Sequence, residues 1–220
     1  MSRSKLHGLY AVTDAALQPP QQLTERVKLA IAGGARLIQY RDKSADAQLR
    51  LQQASELAQL CRMHGVLLII NDDVQLTEAS GADGVHLGRD DADAAAARRQ
   101  LGAQAVIGVS CYNEWSLAVQ AVQAGADYVA FGRFFPSRTK PLAVQSRLDL
   151  ISEARQQLSV PVAAIGGITP CNGRILLDAG ADMLAVVQGV FGADDIAFAA
   201  AAYAALFEAN TAQRASQPSS

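Results

Sequence analysis

The sequence is short of cysteine, of net charge and of long hydrophobic runs. Its 220 residues include only 3 cysteines, and 19 basic against 21 acidic side chains give a formal net charge of −2. Three cysteines without a C-x-x-C pair do not make a disulfide framework and are typical of a reducing compartment, so we expect a cytoplasmic protein. The balanced charge offers nucleic acid no broad basic surface.

The longest apolar run, residues 196–207, is too short and too rich in alanine to cross a bilayer. Hydrophobic residues nevertheless make up 50% of the chain and charged residues only 18%, which excludes a disordered protein. We therefore expect a folded protein with no nucleic-acid or membrane partner.

Short apolar runs alternate with longer segments of helical period along the whole chain. A glycine-containing junction recurs between helix and strand, at residues 33–36, 80–83, 124–127 and 179–182. Glycine at this point lets a helix end through a left-handed residue. The pattern predicts eight strands, at 9–13, 37–40, 66–70, 84–87, 106–109, 128–131, 162–165 and 183–187. It predicts helices at 22–32, 46–63, 74–80, 93–101, 114–124, 147–158, 169–179 and 194–210.

Eight units of about 25 residues fit one (β/α)8 TIM barrel, with its active site at the carboxyl ends of the strands. The predicted domain covers residues 1–210. A doubly wound open sheet uses the same alternation and is the alternative fold. Residues 211–220 are polar and include serine and proline, so they are predicted to form a disordered tail.

Polar residues gather at the predicted strand ends. They are Gln39, Arg41 and Lys43 after the second strand, Asn71, Asp72 and Asp73 after the third, Asp90 and Asp91 after the fourth, Ser110 after the fifth, residues 137–140 after the sixth, Gly166 and Gly167 after the seventh, and Gln188 after the eighth. Carboxylates beside an asparagine, without a neighbouring histidine or cysteine, favour Mg²⁺ over zinc. Arg41, Lys43 and Lys140 can neutralise phosphate, and the glycines suit a second phosphate.

Each motif also has a purely structural explanation. An Asn-Asp-Asp sequence after a strand is typical of a turn or helix cap, and acidic residues at 90 and 91 suit a helix N-terminus. His86, in an apolar strand, is expected in the barrel interior rather than as a base, and Cys111 has no paired histidine for nucleophilic catalysis. The coincidence of so many motifs at strand ends favours a functional site, because folding does not require it.

Six ordered motifs resemble those of the thiamine phosphate synthase family over roughly residues 9–192. They are Gln39-Tyr-Arg-Asp-Lys43, Ile70-Asn-Asp-Asp73, Gly84-Val-His-Leu-Gly-Arg-Asp-Asp91, Gly108-Val-Ser110, Phe135-Pro-Ser-Arg-Thr-Lys140 and Ile165-Gly-Gly-Ile168. The resemblance implies a transferase that joins 4-amino-2-methyl-5-pyrimidinylmethyl diphosphate to 4-methyl-5-(2-phosphoethyl)thiazole. The implied products are thiamine phosphate and pyrophosphate, by a dissociative, Mg²⁺-assisted mechanism.

The resemblance also implies residue roles. Asp72 and Asp91 would hold one Mg²⁺ per subunit. The pyrimidine diphosphate would be bound by Gln39, Arg41, Lys43, Asn71, Ser110, Ser137, Thr139 and Lys140, among which Arg41, Lys43, Ser110 and Lys140 would act in catalysis. The thiazole phosphate would contact Gly167, Val187 and Gln188. Four residues depart from the family pattern: Arg89, Arg133, Ser137 and Gln188 stand where Gln, Pro, Thr and Ser are common.

Two other functions remain open at this point. A thiazole phosphate tautomerase on a similar barrel would need the second phosphate site and an acid–base group, but neither the Asp72–Asp91 pair nor Lys140. A non-catalytic sensor would bind both small molecules without turning them over. The expected partners are small-molecule substrates, and the sequence is compatible with a homo-oligomer.

Overall fold

The computed structural model describes residues 5–89, 91, 93–136 and 145–216, and its strands close into a parallel barrel. Strands β1 to β8 span Gly8–Val12, Ala35–Tyr40, Leu67–Asn71, Gly84–Leu87, Val106–Tyr112, Tyr128–Gly132, Val162–Ile165 and Met183–Val186. Each strand pairs with the next, and β8 pairs with β1. The predicted TIM barrel is confirmed, and the open sheet is excluded because an open sheet would end in two unpaired edge strands.

The described residues contain nine α-helices between and after the strands. Helices α1 to α9 span Leu23–Ala32, Ala47–Met63, Val74–Ser80, Ala94–Leu101, Trp115–Gln123, Asp149–Gln157, Gly173–Asp178, Gln188–Phe191 and Ile196–Ser216, and a 3₁₀ turn at Pro20–Gln22 precedes α1. The four-residue α8 was not predicted, because so short a helix has no readable period. Helix α9 continues past residue 210, where the sequence pattern ended the last helix. Within the part of the chain that the structure describes, every helix falls short of the length and apolarity of a membrane span.

Alternate residues of each strand pack into two different layers of the core. Leu37, Ile69 and Met183 lie in the barrel interior and are almost completely buried. Their neighbours Ile38 and Leu184 point to the outer face and are buried against the surrounding helices. Both faces of the strands are therefore apolar, as expected for a parallel sheet covered on both sides, and the wall beneath the strand ends is tightly packed.

Three junction aspartates fix the amino ends of neighbouring strands. The N–H of Asp83 donates to the carbonyl of Leu68 at 2.9 Å, and its carboxylate accepts from the N–H of the same residue at 2.8 Å. The same pair of hydrogen bonds links Asp127 to Ile107 and Asp182 to Val162. Gly81, just before Asp83, has φ +69°, which confirms the predicted left-handed helix end at this junction. These hydrogen bonds lie at the amino ends of the strands, so the carboxyl ends, where the site is predicted, do not depend on them.

Removing one junction carboxylate should destabilise the barrel. Asp83→Ala leaves the buried N–H of Leu68 without its side-chain acceptor, so we expect the free energy of unfolding, measured in urea, to fall by about 1–3 kcal/mol. Asp83→Asn keeps a side-chain oxygen and should lose less. Asp149→Ala removes an exposed carboxylate whose partner is Arg147, and should cost less than about 1 kcal/mol. Equal losses from the two alanine variants would contradict the role given to Asp83.

Candidate functional site

The carboxyl ends of the strands surround two connected spaces. A cavity of about 420 Å³ lies at the mouth of the barrel, and a groove of about 550 Å³ opens beside it. The cavity is lined by seven of the predicted site residues: Gln39, Arg41, Asn71, Ser110, Gly167, Val187 and Gln188. The groove is lined by Lys43, Asn71 and Asp72 among others. Because Asn71 borders both, the two spaces meet at the end of β3.

The Asn-Asp-Asp sequence after β3 divides its carboxylates between structure and site. Asp73 caps α3, and its carboxylate also lies 2.7 Å from the guanidinium of Arg50. Asp72 instead adopts φ +66° and donates its N–H to the carbonyl of His86 at 2.8 Å. The helix-cap explanation is therefore right for Asp73 and leaves the Asp72 carboxylate for another use.

Asp91 approaches from the loop between β4 and α4. Its carboxylate accepts a hydrogen bond from the N–H of Gly88 at 2.6 Å. The residue that caps α4 is Asp93, two positions further on. Asp91 therefore does not cap the helix, and its carboxyl group lies close enough to that of Asp72 to raise the pKa of Asp72.

This carboxyl pair is electrostatically unfavourable when both groups are ionised. Burial raises the pKa of Asp72 from 3.8 to about 6, with the hydrogen bond and charge of Asp91 adding to the rise. Lys43, whose Nζ lies 3.8 Å from the Asp72 carboxylate, opposes the rise, as does a hydrogen bond from Asn71. A hard divalent cation bound by both carboxylates would remove this repulsion, so the donor set fits Mg²⁺.

The pair supplies only part of a coordination shell. Among the residues that the structure describes, no group of three or more His, Cys, Asp or Glu side chains comes together. Mg²⁺ prefers six oxygen ligands and keeps several from water or substrate phosphate. A cation held by Asp72 and Asp91 would therefore have most of its shell open to a phosphorylated ligand.

Two cationic side chains follow the end of β2, one lining the cavity and the other lining the groove. The N–H of Arg41 donates to the hydroxyl of the buried Thr13 at 2.9 Å, which fixes the backbone there. The Arg41 guanidinium borders the cavity, 3.6 Å from Asp14. Lys43 borders the groove and is 66% exposed. The two cations can thus reach a diphosphate that spans the boundary between cavity and groove.

A chain of hydrogen bonds crosses the barrel interior beneath the cavity. Gln39 Nε2 donates to Tyr10 Oη at 2.7 Å, and Tyr10 Oη lies 2.9 Å from Tyr128 Oη. Tyr128 Oη lies 2.9 Å from His86 Nδ1, and His86 Nε2 lies 2.8 Å from Ser110 Oγ. The prediction that His86 lies in the barrel interior is confirmed, and Ser110 lies within β5 rather than after it. The two tyrosines were not predicted, because residues 118 apart in sequence carry no signal of contact.

Tyr203 of α9 ties together the two segments predicted to bind the second phosphate. Gly167 has φ +64°, and a Cβ there would lie 2.3 Å from the carbonyl oxygen of Pro136, so only glycine fits. The Tyr203 hydroxyl donates to the carbonyl of Ile168 at 2.9 Å. The same hydroxyl would lie 2.1 Å from a Cβ on Gly189, at the start of α8. The loop after β7 and the first turn of α8 are therefore held by one buried side chain.

Helix α8 is also anchored from below. Arg26 of α1 donates from Nη2 to the carbonyl of Phe191 at 2.6 Å. Val187, the residue before α8, and Gln188, its first residue, both line the cavity, while the side-chain amide of Gln188 lies against Gly192. Neither Arg26 nor Tyr203 was predicted, since each acts from a helix far along the chain.

The remaining predicted residues have mixed outcomes. Ser137, Thr139, Lys140 and Asp90 lie outside the described residues. Arg89 pairs with Glu114, and its guanidinium lies 4.8 Å from the centre of the Tyr112 ring, which accounts for its charge. Arg133 lines the cavity, and its Cβ would lie 2.3 Å from a Cβ on Gly166. The backbone and Cβ of Arg133 thus pack closely against Gly166.

Comparison with known proteins agrees with these motifs. Residues 9–190 match the family model described as thiamine monophosphate synthase. The thiamine-phosphate synthase of Chromobacterium violaceum is 56% identical over 205 residues, covering 93% of this chain and 98% of the relative. That of Nitrosococcus oceani is 52% identical over 200 residues, covering 91% and 92%.

Solved structures show the same relationship. The thiamine phosphate pyrophosphorylase of Pyrococcus furiosus is 34% identical, with a TM-score of 0.85, covering 94% of this chain and 98% of that one. A 3-hexulose-6-phosphate synthase has a TM-score of 0.68 at 18% identity, covering 90% and 99%. At that identity the second likeness concerns the fold alone.

The coupling between the two carboxyl groups can be measured directly. Asp91→Asn removes the negative charge that helps to raise the pKa of Asp72, so the pKa should fall from about 6 toward 3.8 while the part due to burial remains. The pKa of Asp72 would be measured from its carboxyl ¹³C NMR shift as a function of pH, without divalent cation. Asp93→Asn changes the nearby cap of α4 and is the control, in which the pKa of Asp72 should not change. An unchanged midpoint in Asp91→Asn would contradict the coupling.

Proposed function

The chain belongs to the thiamine monophosphate synthase family, and we propose that it joins 4-amino-2-methyl-5-pyrimidinylmethyl diphosphate to 4-methyl-5-(2-phosphoethyl)thiazole. The products are thiamine phosphate and pyrophosphate, and the enzyme is a transferase. The observation that carries this function is that the family's motifs for both substrates border one connected space, with Gln39, Arg41 and Asn71 on one side and Gly167 and Gln188 on another.

The proposed binding roles follow the charges around the cavity. Arg41, Lys43, Ser110 and Lys140 act on the diphosphate during catalysis, and Gln39, Asn71, Ser137 and Thr139 complete its binding site. Support comes from Arg41, which lines the cavity, and from Lys43, which lines the groove 3.8 Å from the carboxylate of Asp72. Gly167, Val187 and Gln188 hold the thiazole phosphate, supported by the tethering of their segments by Tyr203 and Arg26.

Asp72 and Asp91 would hold one Mg²⁺ per subunit, which when bound would neutralise negative charge on the departing diphosphate. The C–O bond to the diphosphate breaks first, and the aminopyrimidine spreads the positive charge left on the methylene carbon. The thiazole nitrogen then donates its electron pair to that carbon and forms the new C–N bond. Arg41, Lys43 and Lys140 stabilise the pyrophosphate oxygens as charge accumulates there.

Much of the rate enhancement must come from positioning. No covalent nucleophile is needed, and Cys111 is completely buried. Holding two reactants in alignment is worth up to about 7–11 kcal/mol. The apolar wall of the cavity, which includes Ile165 and Ala185, limits the water that could capture the cation instead of the thiazole.

Cellular location and assembly are part of this proposal. All three cysteines are free thiols, two of them buried, which supports a reducing compartment such as the cytoplasm. The substrates are small molecules, and no role with nucleic acid or membrane is proposed. Whether the protein forms a homo-oligomer stays a prediction.

The function is tested by incubating the purified protein with both substrates and Mg²⁺. Mass spectrometry should detect thiamine phosphate, and a coupled assay should detect pyrophosphate in equal amount. Omitting either substrate or the metal should abolish both products. Isomerisation of a thiazole phosphate without Mg²⁺ or diphosphate would instead identify a tautomerase, and binding of both ligands without product would identify a sensor.

Adjacent aspartates should respond very differently to the same substitution. Asp72→Asn removes a proposed metal ligand and should lower kcat by a factor on the order of 100 or more. Asp73→Asn keeps a good helix cap and should stay within a few-fold of the wild type. A second measurement uses the same two variants and the wild type. Adding Mg²⁺ at pH 7.5 should raise the Tm of the wild type and of Asp73→Asn but should not raise the Tm of Asp72→Asn. Equal activities of the two variants would exclude the proposed metal site.

A further inference from the structure

We propose that Tyr10, Tyr128 and His86 are positioning residues, which orient the hydrogen bonds of Gln39 and Ser110 so that Ser110 presents its hydroxyl proton to the pyrimidine diphosphate. The inference rests on the proposed function, because it concerns the same cavity. It gives a function to these three interior side chains, none of which has a role in the proposed reaction.

The direction of the chain follows from counting protons. Each tyrosine hydroxyl has one proton, so a hydroxyl that accepts from one neighbour can donate to the next. The amide of Gln39 donates to Tyr10, and with each tyrosine proton used inside the chain, Tyr10 donates to Tyr128 and Tyr128 donates to Nδ1 of His86. The histidine proton then resides on Nε2 and is donated to Ser110 Oγ. The proton of Ser110 is left pointing out of the chain, into the cavity that this residue lines.

Burial keeps this arrangement in place. Tyr10 and Tyr128 are 1% and 0% exposed and His86 is 8% exposed, so water has little opportunity to replace the links between these three residues. Burial also raises the pKa of both tyrosines, which keeps each one a neutral hydroxyl with a proton to donate. The Tyr128 and His86 rings stack with 5.6 Å between centroids, and a Cβ on Gly108 would lie 2.0 Å from the Tyr128 ring. The rings are thus held by packing as well as by hydrogen bonds.

A chain that serves only stability would behave differently from one that orients Ser110. If the chain acts through Ser110, breaking it and removing Ser110 should not have additive effects on catalysis. If it serves only to satisfy buried groups, its loss should lower the Tm without a specific effect on kcat. The two roles are therefore separable by a double-mutant cycle.

The first experiment compares Tyr128→Phe, Ser110→Ala and their double variant. We expect Tyr128→Phe to lower kcat on the order of 10-fold, as for loss of one oriented hydrogen bond, with little change in the KM of the thiazole phosphate. The double variant should be no slower than Ser110→Ala alone. Tyr40→Phe is the matched control: it removes another buried hydroxyl, bonded to Gln53 on the outer side of β2, and should leave kcat unchanged.

The second experiment does not depend on activity. ¹⁵N NMR of labelled protein should find His86 protonated on Nε2, with its signal identified by its absence in His86→Asn. In Gln39→Glu the introduced carboxylate can only accept, so every link should reverse and the proton should move to Nδ1.

Three results would overturn the proposal. They are wild-type kcat in folded Tyr128→Phe, an effect that adds in full to that of Ser110→Ala, or a His86 tautomer that does not respond to Gln39→Glu. Should Tyr128→Phe fail to fold, Tyr10→Phe breaks the same chain one link earlier and carries the same expectations. If the wild type makes no thiamine phosphate, the proposed function fails, whereas the tautomer measurement still tests the direction of the chain.

Discussion

Closure of the parallel barrel is the constraint on which every feature of the site depends. Since β8 pairs with β1 and all neighbours run in the same direction, the eight carboxyl ends must meet at one rim. Residues as distant in sequence as Gln39 and Gln188 therefore line the same cavity. The junction aspartates secure the opposite ends, so strand register is maintained where no chemistry takes place, and the rim can carry charged and strained residues.

That rim concentrates groups that folding alone would not favour. Burial, with the neighbouring Asp91, raises the pKa of Asp72. Asp72 also occupies a left-handed conformation that is uncommon for a residue other than glycine. Both features carry a cost in stability unless a ligand compensates for them. A cation bound between the carboxylates would compensate for the charge, which makes the site more favourable occupied than empty. The rest of the barrel supplies the stability that tolerates this local cost.

Features that depend on neighbouring residues in the sequence were predicted, whereas contacts between residues distant in the chain were not. All eight strands and the longer helices follow from local period and from glycine at helix ends. The predicted boundaries differ from the observed ones by a few residues, except that α9 continues to Ser216 beyond its predicted end at residue 210. Residue type alone pointed to the acidic turns that contain Asp72 and Asp91 but could not separate Asp72 from the helix cap Asp73. The choice of Asp72 and Asp91 came from the resemblance to the family. Only backbone geometry distinguishes a carboxylate that caps a helix from its neighbour that faces the site. Tyr203, Arg26 and the Tyr10–Tyr128 contact were beyond prediction, since each depends on the packing of elements distant in the chain.

The rim has two chemically different halves, which matches the proposal that one cavity holds two anionic substrates. The strands β2 to β5 contribute the carboxylates, Arg41 and Ser110, whereas the segments after β7 and β8 contribute a glycine backbone and the short helix α8. In the proposed reaction, metal and side-chain charge would serve the diphosphate, because negative charge grows on it as its bond breaks. The phosphate on the thiazole does not change charge, so fixed backbone groups suffice to hold it. In that proposal, separating the two would keep the anions apart at their far ends. The reacting carbon and nitrogen would meet over the apolar centre of the cavity, where proximity has its largest effect.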